Sequence, residues 1–192
     1  QLLQLIGKLA FVARVVRKGR AFLGRLIESA KKLKHLHFRT KLPIEAIRDI
    51  DWWRTSLLSH NGTSFFARDW ASTTVKHVFT DASNYGFGAC WGGEWFAMVY
   101  KGRFTSLAER SINWRELHVA VKALATWAPV WANSAVIFHI DNQATCGILH
   151  KLYSPCSELM EFVRSWALIL EEYCIDVRIE YIADALSRGA IE

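Results

Sequence analysis

The sequence predicts an α/β fold: a five-stranded mixed sheet in the order β-β-β-α-β-α-β-α, behind an N-terminal helical segment. Three observations predict it. Apolar residues recur at helical spacing through the first part of the chain and then, from about Thr74, give way to three successive period-two segments. The pair Gly92-Gly93 makes a tight turn between the second and third of these, so they form an antiparallel meander. A stretch that is apolar but for His139, Ala135–Ile140, stands between two helical segments, as a central strand covered on both faces does.

The elements follow in order. Leu2, Leu3, Ile6, Leu9, Ala10 and Ala13 trace a first helix, with Gly7 as its weak point. Arg17-Lys18-Gly19-Arg20 reads as a break, and a second helix is expected over 21–33. Pro43 opens a third, with Ile47, Ile50, Trp53 and Leu57 on its inner face and Asn61-Gly62 at its end. Residues 75–80, 85–91 and 95–104 read as the three meander strands. A helix over 114–127 turns Leu117, Val121 and Leu124 inward. After the apolar strand come a short helix near 144–152 and a long one from Ser154-Pro155 to about Tyr173, burying Leu159, Phe162, Val163, Trp166, Ile169 and Leu170. Ile175, Val177, Ile179 and Tyr181 alternate with charged residues in the last strand. The helical crossover makes the last two strands parallel, with a right-handed connection.

Composition sets limits. The chain has 192 residues, half of them hydrophobic, which is enough for one full domain and an appendage. Nine tryptophans are many, and core packing accounts for most of them. The net charge of +6 is unevenly placed. Residues 1–70 carry 14 Lys/Arg against 5 Asp/Glu, a net of +9, and residues 71–192 carry 10 against 13, a net of −3. We therefore expect a basic helical segment over 1–72 and an acid-centred domain over 73–192. Between Arg14 and Lys41 ten Lys/Arg face one acid, Glu28, and Arg17, Lys18 and Arg20 are its candidate contacts to a phosphate backbone. Four cysteines without C-x-x-C spacing argue against a zinc framework and for a reducing, intracellular compartment. His35 and His37 form a short pair that by itself is a weak metal signal. No run of apolar residues is long enough to span a membrane. The apolar, Arg-rich first 26 residues look superficially like a transit peptide, but Gln1 stands inside a helical pattern, so the chain reads as part of a longer polypeptide.

The chemistry concentrates in four carboxylates. Asp81 follows Phe79-Thr80, Glu116 sits in Asn113-Trp114-Arg115-Glu116, Asp141 ends the apolar strand, and Asp184 follows the last strand. Each has a local alternative. Asp81 could belong to an ordinary turn, and Asp141-Asn142 to a turn or helix cap. Asn113-x-x-Glu116 fits a capping box, and Asp184 could cap a final helix. Four unrelated caps rarely fall in this order on strand, helix, strand and helix. In an open sheet, sites form at the carboxyl ends of parallel strands, where all four can converge.

These motifs resemble the ribonuclease H domain of retroelement reverse transcriptases. Phe79-Thr80-Asp81-Ala82-Ser83 is similar to its first motif, Arg115-Glu116-Leu117 to its second, His139-Ile140-Asp141-Asn142-Gln143 to its third and Ala183-Asp184-Ala185-Leu186-Ser187-Arg188 to its fourth. Upstream, Leu5-Ile6-Gly7-Lys8-Leu9, Gly19-Arg20-Ala21-Phe22-Leu23 and Asp51-Trp52-Trp53 resemble the thumb or connection stretch before that domain, closest in flavour to DIRS-type (tyrosine-recombinase) retrotransposons. The resemblance implies a ribonuclease H-like sheet and cleavage of RNA in an RNA–DNA hybrid. It implies that Asp81, Glu116, Asp141 and Asp184 ligate two Mg²⁺, for which Mn²⁺ can substitute. It also implies a polymerase domain in the same parent polypeptide. Ser83, Asn113, Asn142 and Gln143 are the expected contacts to the hybrid.

One departure matters. The family usually has a loop between the last strand and the Ala-Asp motif, whereas here Ile182 runs straight into Ala183. The alternative reading is therefore a catalytically weak or domesticated ribonuclease H fold that binds nucleic acid. A scaffold within a larger polymerase complex is a third. An integrase-type core lacks a carboxylate on the first crossover helix, and a DnaQ-like exonuclease needs Asp-x-Glu on the first strand, so Glu116 and Asp81-Ala82-Ser83 argue against both.

Overall fold

The computed structural model describes residues 1–33, 41–59, 70 and 74–182, apart from the side chains of Ser59 and Arg103. His35, His37, Asn61-Gly62, Asp184 and the helix expected after it lie outside the described residues. The chain divides into two compact units, Gln1–Arg68 and Asp69–Glu192.

Among its described residues the first unit has the α-helices α1 (Leu2–Val12), α2 (Gly24–Lys31) and α3 (Ile44–Ser59). The basic break between α1 and α2 is a 3₁₀ helix, Arg17–Phe22, so α2 begins at Gly24, later than the sequence suggests. Gly19 lies in this break because Trp53 presses on it: a Cβ at position 19 would run into the indole ring. The same indole donates from Nε1 to Phe22 O at 3.3 Å, and Trp52 stacks on Phe22 at 4.0 Å between centroids. Arg25 reaches Asp49 at 3.2 Å and draws that 2 % exposed carboxylate inward. These contacts rotate α3 from its expected orientation. Its buried stripe is Ala46, Asp49, Trp53 and Ser56, while Ile47 and Leu57 are exposed.

The second unit is built on five strands, β1 (Val75–Ala82), β2 (Gly86–Trp91), β3 (Glu94–Val99), β4 (Ala135–Ile140) and β5 (Asp176–Tyr181), in the spatial order β3-β2-β1-β4-β5. The first three are antiparallel neighbours, and β4 and β5 run parallel to β1. This is the five-stranded mixed sheet that the sequence predicts. Trp91 pairs with Glu94 across the two-glycine turn, where Gly92 has φ +58°. The third strand ends at Val99, short of the expected 104: Gly102, at φ +59°, opens a short turn and the helix α4 (Thr105–Ala108) takes over.

The unit also contains helices α5 (Ile112–Trp127), α6 (Gln143–Lys151) and α7 (Ser157–Glu172). Strand alternation sends Val78, Thr80 and Ala82 into the core and leaves His77, Phe79 and Asp81 on the other face. Leu117, Leu124, Val163 and Trp166 close over the inner face and are almost fully buried. Phe162 and Ile169, expected inside, are only partly covered. An aromatic cluster runs from half-buried Trp91 and Phe96 through Trp127, Trp131 and Phe138 to Trp166 in the core, with successive ring centroids 4.9–6.2 Å apart. Among the described residues no helix is long and apolar enough to cross a membrane.

Candidate metal centre

Strand pairing brings two of the acids together. Thr80 pairs with Ile140 in the parallel β1–β4 ladder, so Asp81 and Asp141 occupy the next register position side by side. Both are partly exposed. The third comes from α5, where Glu116 is the fifth residue of the helix, one turn deeper than its N-terminus. Asp81, Glu116 and Asp141 each offer one oxygen, and these lie within 4.8 Å of one another. They are the only such group of three or more His, Cys, Asp or Glu side chains among the described residues. Asp184, the fourth acid of the sequence pattern, lies outside the described residues.

Glu116 is the unusual member. It is 2 % exposed, and its Oε1 accepts the Ala82 amide at 3.0 Å. Its Oε2 is buried with no hydrogen-bond partner. Burial, reinforced by the Asp141 and Asp81 charges, pushes its pKa from 4.5 up to about 8, against the opposing pull of the Ala82 N–H and Arg115. A buried carboxyl that keeps its proton to neutral pH, beside two more hard oxygen donors, fits a divalent cation that replaces that proton. Burial also raises the Cys146 thiol, and the Asp141 and Glu116 charges add to the effect.

The polar neighbours are organised around the acids. The helix cap of α5 is Ser111, whose Oγ accepts Trp114 N at 3.2 Å, so the alternative reading of Asn113–Glu116 as a capping box does not hold. Asn113 lies inside the helix and accepts Asn142 Nδ2 at 3.0 Å. Asn142, rather than Asp141, caps α6: its Oδ1 accepts Thr145 N at 2.8 Å. Gln143 follows as the exposed first residue of α6. Ser83 sits in the turn after Asp81, where its Oγ accepts Tyr85 N at 3.1 Å and Gly86 N at 3.3 Å. Arg17 and Arg20 are exposed and Lys18 half-buried on the 3₁₀ turn of the first unit.

Arg115 had no assigned role in the sequence beyond its place in a motif. It is 4 % exposed, and its guanidinium donates from Nη1 to Ser83 O and from Nη2 to Asn84 Oδ1. No local pattern signals this link, because its partners lie about thirty positions away.

No protein-family model and no curated protein matches the chain. Among solved structures it is similar to RNase H1 from the halophilic archaeon Halobacterium salinarum NRC-1, with 17 % identity and a TM-score of 0.43 over 59 % of this chain and 89 % of that one. It is also similar to the foamy viral protease-reverse transcriptase in complex with RNA/DNA hybrid (10 % identity, TM-score 0.39, 84 % of this chain and 27 % of that one). The dRH form of that protein in complex with double-stranded DNA matches at 12 % identity and a TM-score of 0.40, over 94 % of this chain and 34 % of that one. The chain thus spans about a third or less of the foamy viral proteins. At these scores the fold assignment rests on the strand order and register described above.

Proposed function

We propose that the chain is a metal-dependent endonuclease that hydrolyses the RNA strand of RNA–DNA hybrids, as the ribonuclease H part of a retrotransposon reverse transcriptase of DIRS type. The observation that carries this reading is the meeting of Asp81, Glu116 and Asp141 at the carboxyl ends of β1 and β4, with Glu116 buried and one of its oxygens unpartnered. The four motif resemblances support it.

In this reading Asp81, Glu116, Asp141 and Asp184 hold two Mg²⁺, or Mn²⁺. Ions held by these residues would supply activation of the attacking water and charge stabilisation for the departing 3′ oxygen. Asp81 and Asp141 present their oxygens at the open face of the sheet end. Glu116 gives up its proton and supplies the buried ligand, fixed in place by the Ala82 N–H. Asn113 and Asn142 brace each other between α5 and α6, leaving the Asn113 amide nitrogen available to a 2′-hydroxyl or the minor groove. Ser83 and Gln143 flank the same opening. The basic segment 1–72, through Arg17, Lys18 and Arg20, holds the nucleic-acid backbone, and residues 73–192 form the nuclease domain. The polymerase domain belongs to the same parent polypeptide.

A second reading rests on the junction after β5, where Ile182 leads straight to Ala183-Asp184. In that reading the domain binds hybrid without cutting it. The test is cleavage of a labelled RNA strand annealed to DNA in Mg²⁺, beside Asp141→Asn. Mg²⁺-dependent cutting of the hybrid but not of duplex DNA, abolished by the substitution, is the expected result. Hybrid binding without cutting, unchanged by Mg²⁺ or Mn²⁺, overturns the nuclease reading in favour of the binding module.

A further inference from the structure

We propose that Arg115 is a positioning residue whose guanidinium ties the turn after β1 to the start of α5 and so holds Asp81 across from Glu116. The inference rests on the reading of the carboxylates as cation ligands, and adds to it a residue that touches none of the reacting groups.

Arginine is seldom buried without close partners, yet Arg115 is 4 % exposed. Its two bonds to the turn go to Ser83 O and Asn84 Oδ1, the second at 2.9 Å. The Tyr100 ring lies 6.0 Å from its Cζ. Neighbouring Glu116 takes the Ala82 N–H. Two consecutive residues of α5 therefore grip the three consecutive residues that follow Asp81. The turn also has an internal lock, since Ser83 N donates to Gly86 O at 2.8 Å and the Ser83 hydroxyl accepts two further amides. That lock shapes the turn but does not set its distance from α5. The Arg115 fork sets it, with two planar donors where lysine offers a single point charge. Groups that orient metal ligands from behind typically cost about 10–100-fold in metal affinity or activity when removed.

The test is the Mg²⁺-induced rise in Tm, followed by calorimetry as Mg²⁺ is titrated, together with hybrid cleavage. The proteins are the unsubstituted chain, Arg115→Lys and Asn84→Ala. Arg115→Lys keeps the charge and loses the fork; it is expected to raise the Mg²⁺ midpoint by about tenfold or more. Asn84→Ala removes one acceptor at an exposed position and is expected to raise the midpoint by a smaller factor, with KM for the hybrid unchanged and cleavage recovering at high Mg²⁺. Should the lysine variant fail to fold, Asn84→Ala decides alone. Unchanged midpoints in the variants, beside a normal response in the unsubstituted chain, overturn the inference. If the unsubstituted chain neither shifts nor cleaves, the metal reading itself fails.

Discussion

Asn142 Nδ2 donates to Asn113 Oδ1 at 3.0 Å while Asn142 Oδ1 caps α6 through Thr145 N at 2.8 Å. One side chain therefore starts a helix and clamps the elements that carry Glu116 and Asp141. Asn142→Ala loses both functions. It is expected to lower stability by ~1 kcal/mol, a typical value for a lost helix cap, and to reduce hybrid cleavage. Asn113→Ala leaves the cap intact, so cleavage falls while Tm changes less. Calorimetry beside steady-state kinetics on both variants separates the two.

Glu116 sets a pH dependence whose sign follows from its environment. Its pKa in the folded chain, about 8, lies above the ordinary 4.5, so the folded state binds the proton more tightly than the unfolded one. That stability is fully present below pH 4.5 and is lost as pH rises through 8. In the absence of divalent cations, Glu116→Gln is expected to flatten this slope and raise Tm at pH 8 by about 2–8 °C, as ~1–2 kcal/mol does in a chain of this size. Thermal unfolding in chelator between pH 5 and 9 measures it. A Gln variant with the parent slope shows that another group carries the effect.

Cation binding must displace that proton. At pH 7 titration with Mg²⁺ is expected to release about one proton, and at pH 9 almost none. Isothermal titration in two buffers of different ionisation enthalpy counts the protons directly. Equal enthalpies in the two buffers at pH 7 show that binding releases no proton, and overturn the displacement of a Glu116 proton by the cation.

The basic turn of the first unit contributes through charge. Replacing Arg17, Lys18 and Arg20 with Ala is expected to weaken hybrid binding evenly across sequences. It is also expected to reduce the slope of log K against log salt by about 1 for each phosphate that is no longer neutralised. Fluorescence anisotropy over a range of salt concentrations measures both. An unchanged slope shows that these side chains contact no phosphate.

Gly19→Ala tests the packing of the first unit. The added methyl meets the Trp53 ring, and a 2 % exposed indole has little room to yield. The expected loss is about 1–3 kcal/mol, the usual range for overpacking, read from urea unfolding.

Much of this arrangement is legible in the chain because its signals are local. The apolar run 135–140 is a buried strand, Gly92-Gly93 makes the hairpin, and Leu117, Val121 and Leu124 face inward. The convergence of Asp81 and Asp141 follows from strands that end in register. What escapes the sequence depends on distant partners. Ser111 and Asn113 are equally good caps on paper, and Asn142, 29 positions from Asn113, draws the latter into the helix. The inner face of α3 is set by Gly19 and Arg25, which a periodicity count along α3 cannot see. Arg115 reads as a motif residue until its fork is found on the turn beyond β1.

The parallel register of β1 and β4 has a consequence for how such a domain diverges. Side chains along a strand alternate between faces, so one residue inserted between Val75 and Asp81 turns the carboxylate into the core and Thr80 outward. The apolar positions of these strands tolerate exchange among Val, Ile, Leu and Phe, but their length does not vary. The pleat thus leaves composition and loop length free to change, and fixes the residue count from the start of β1 to Asp81.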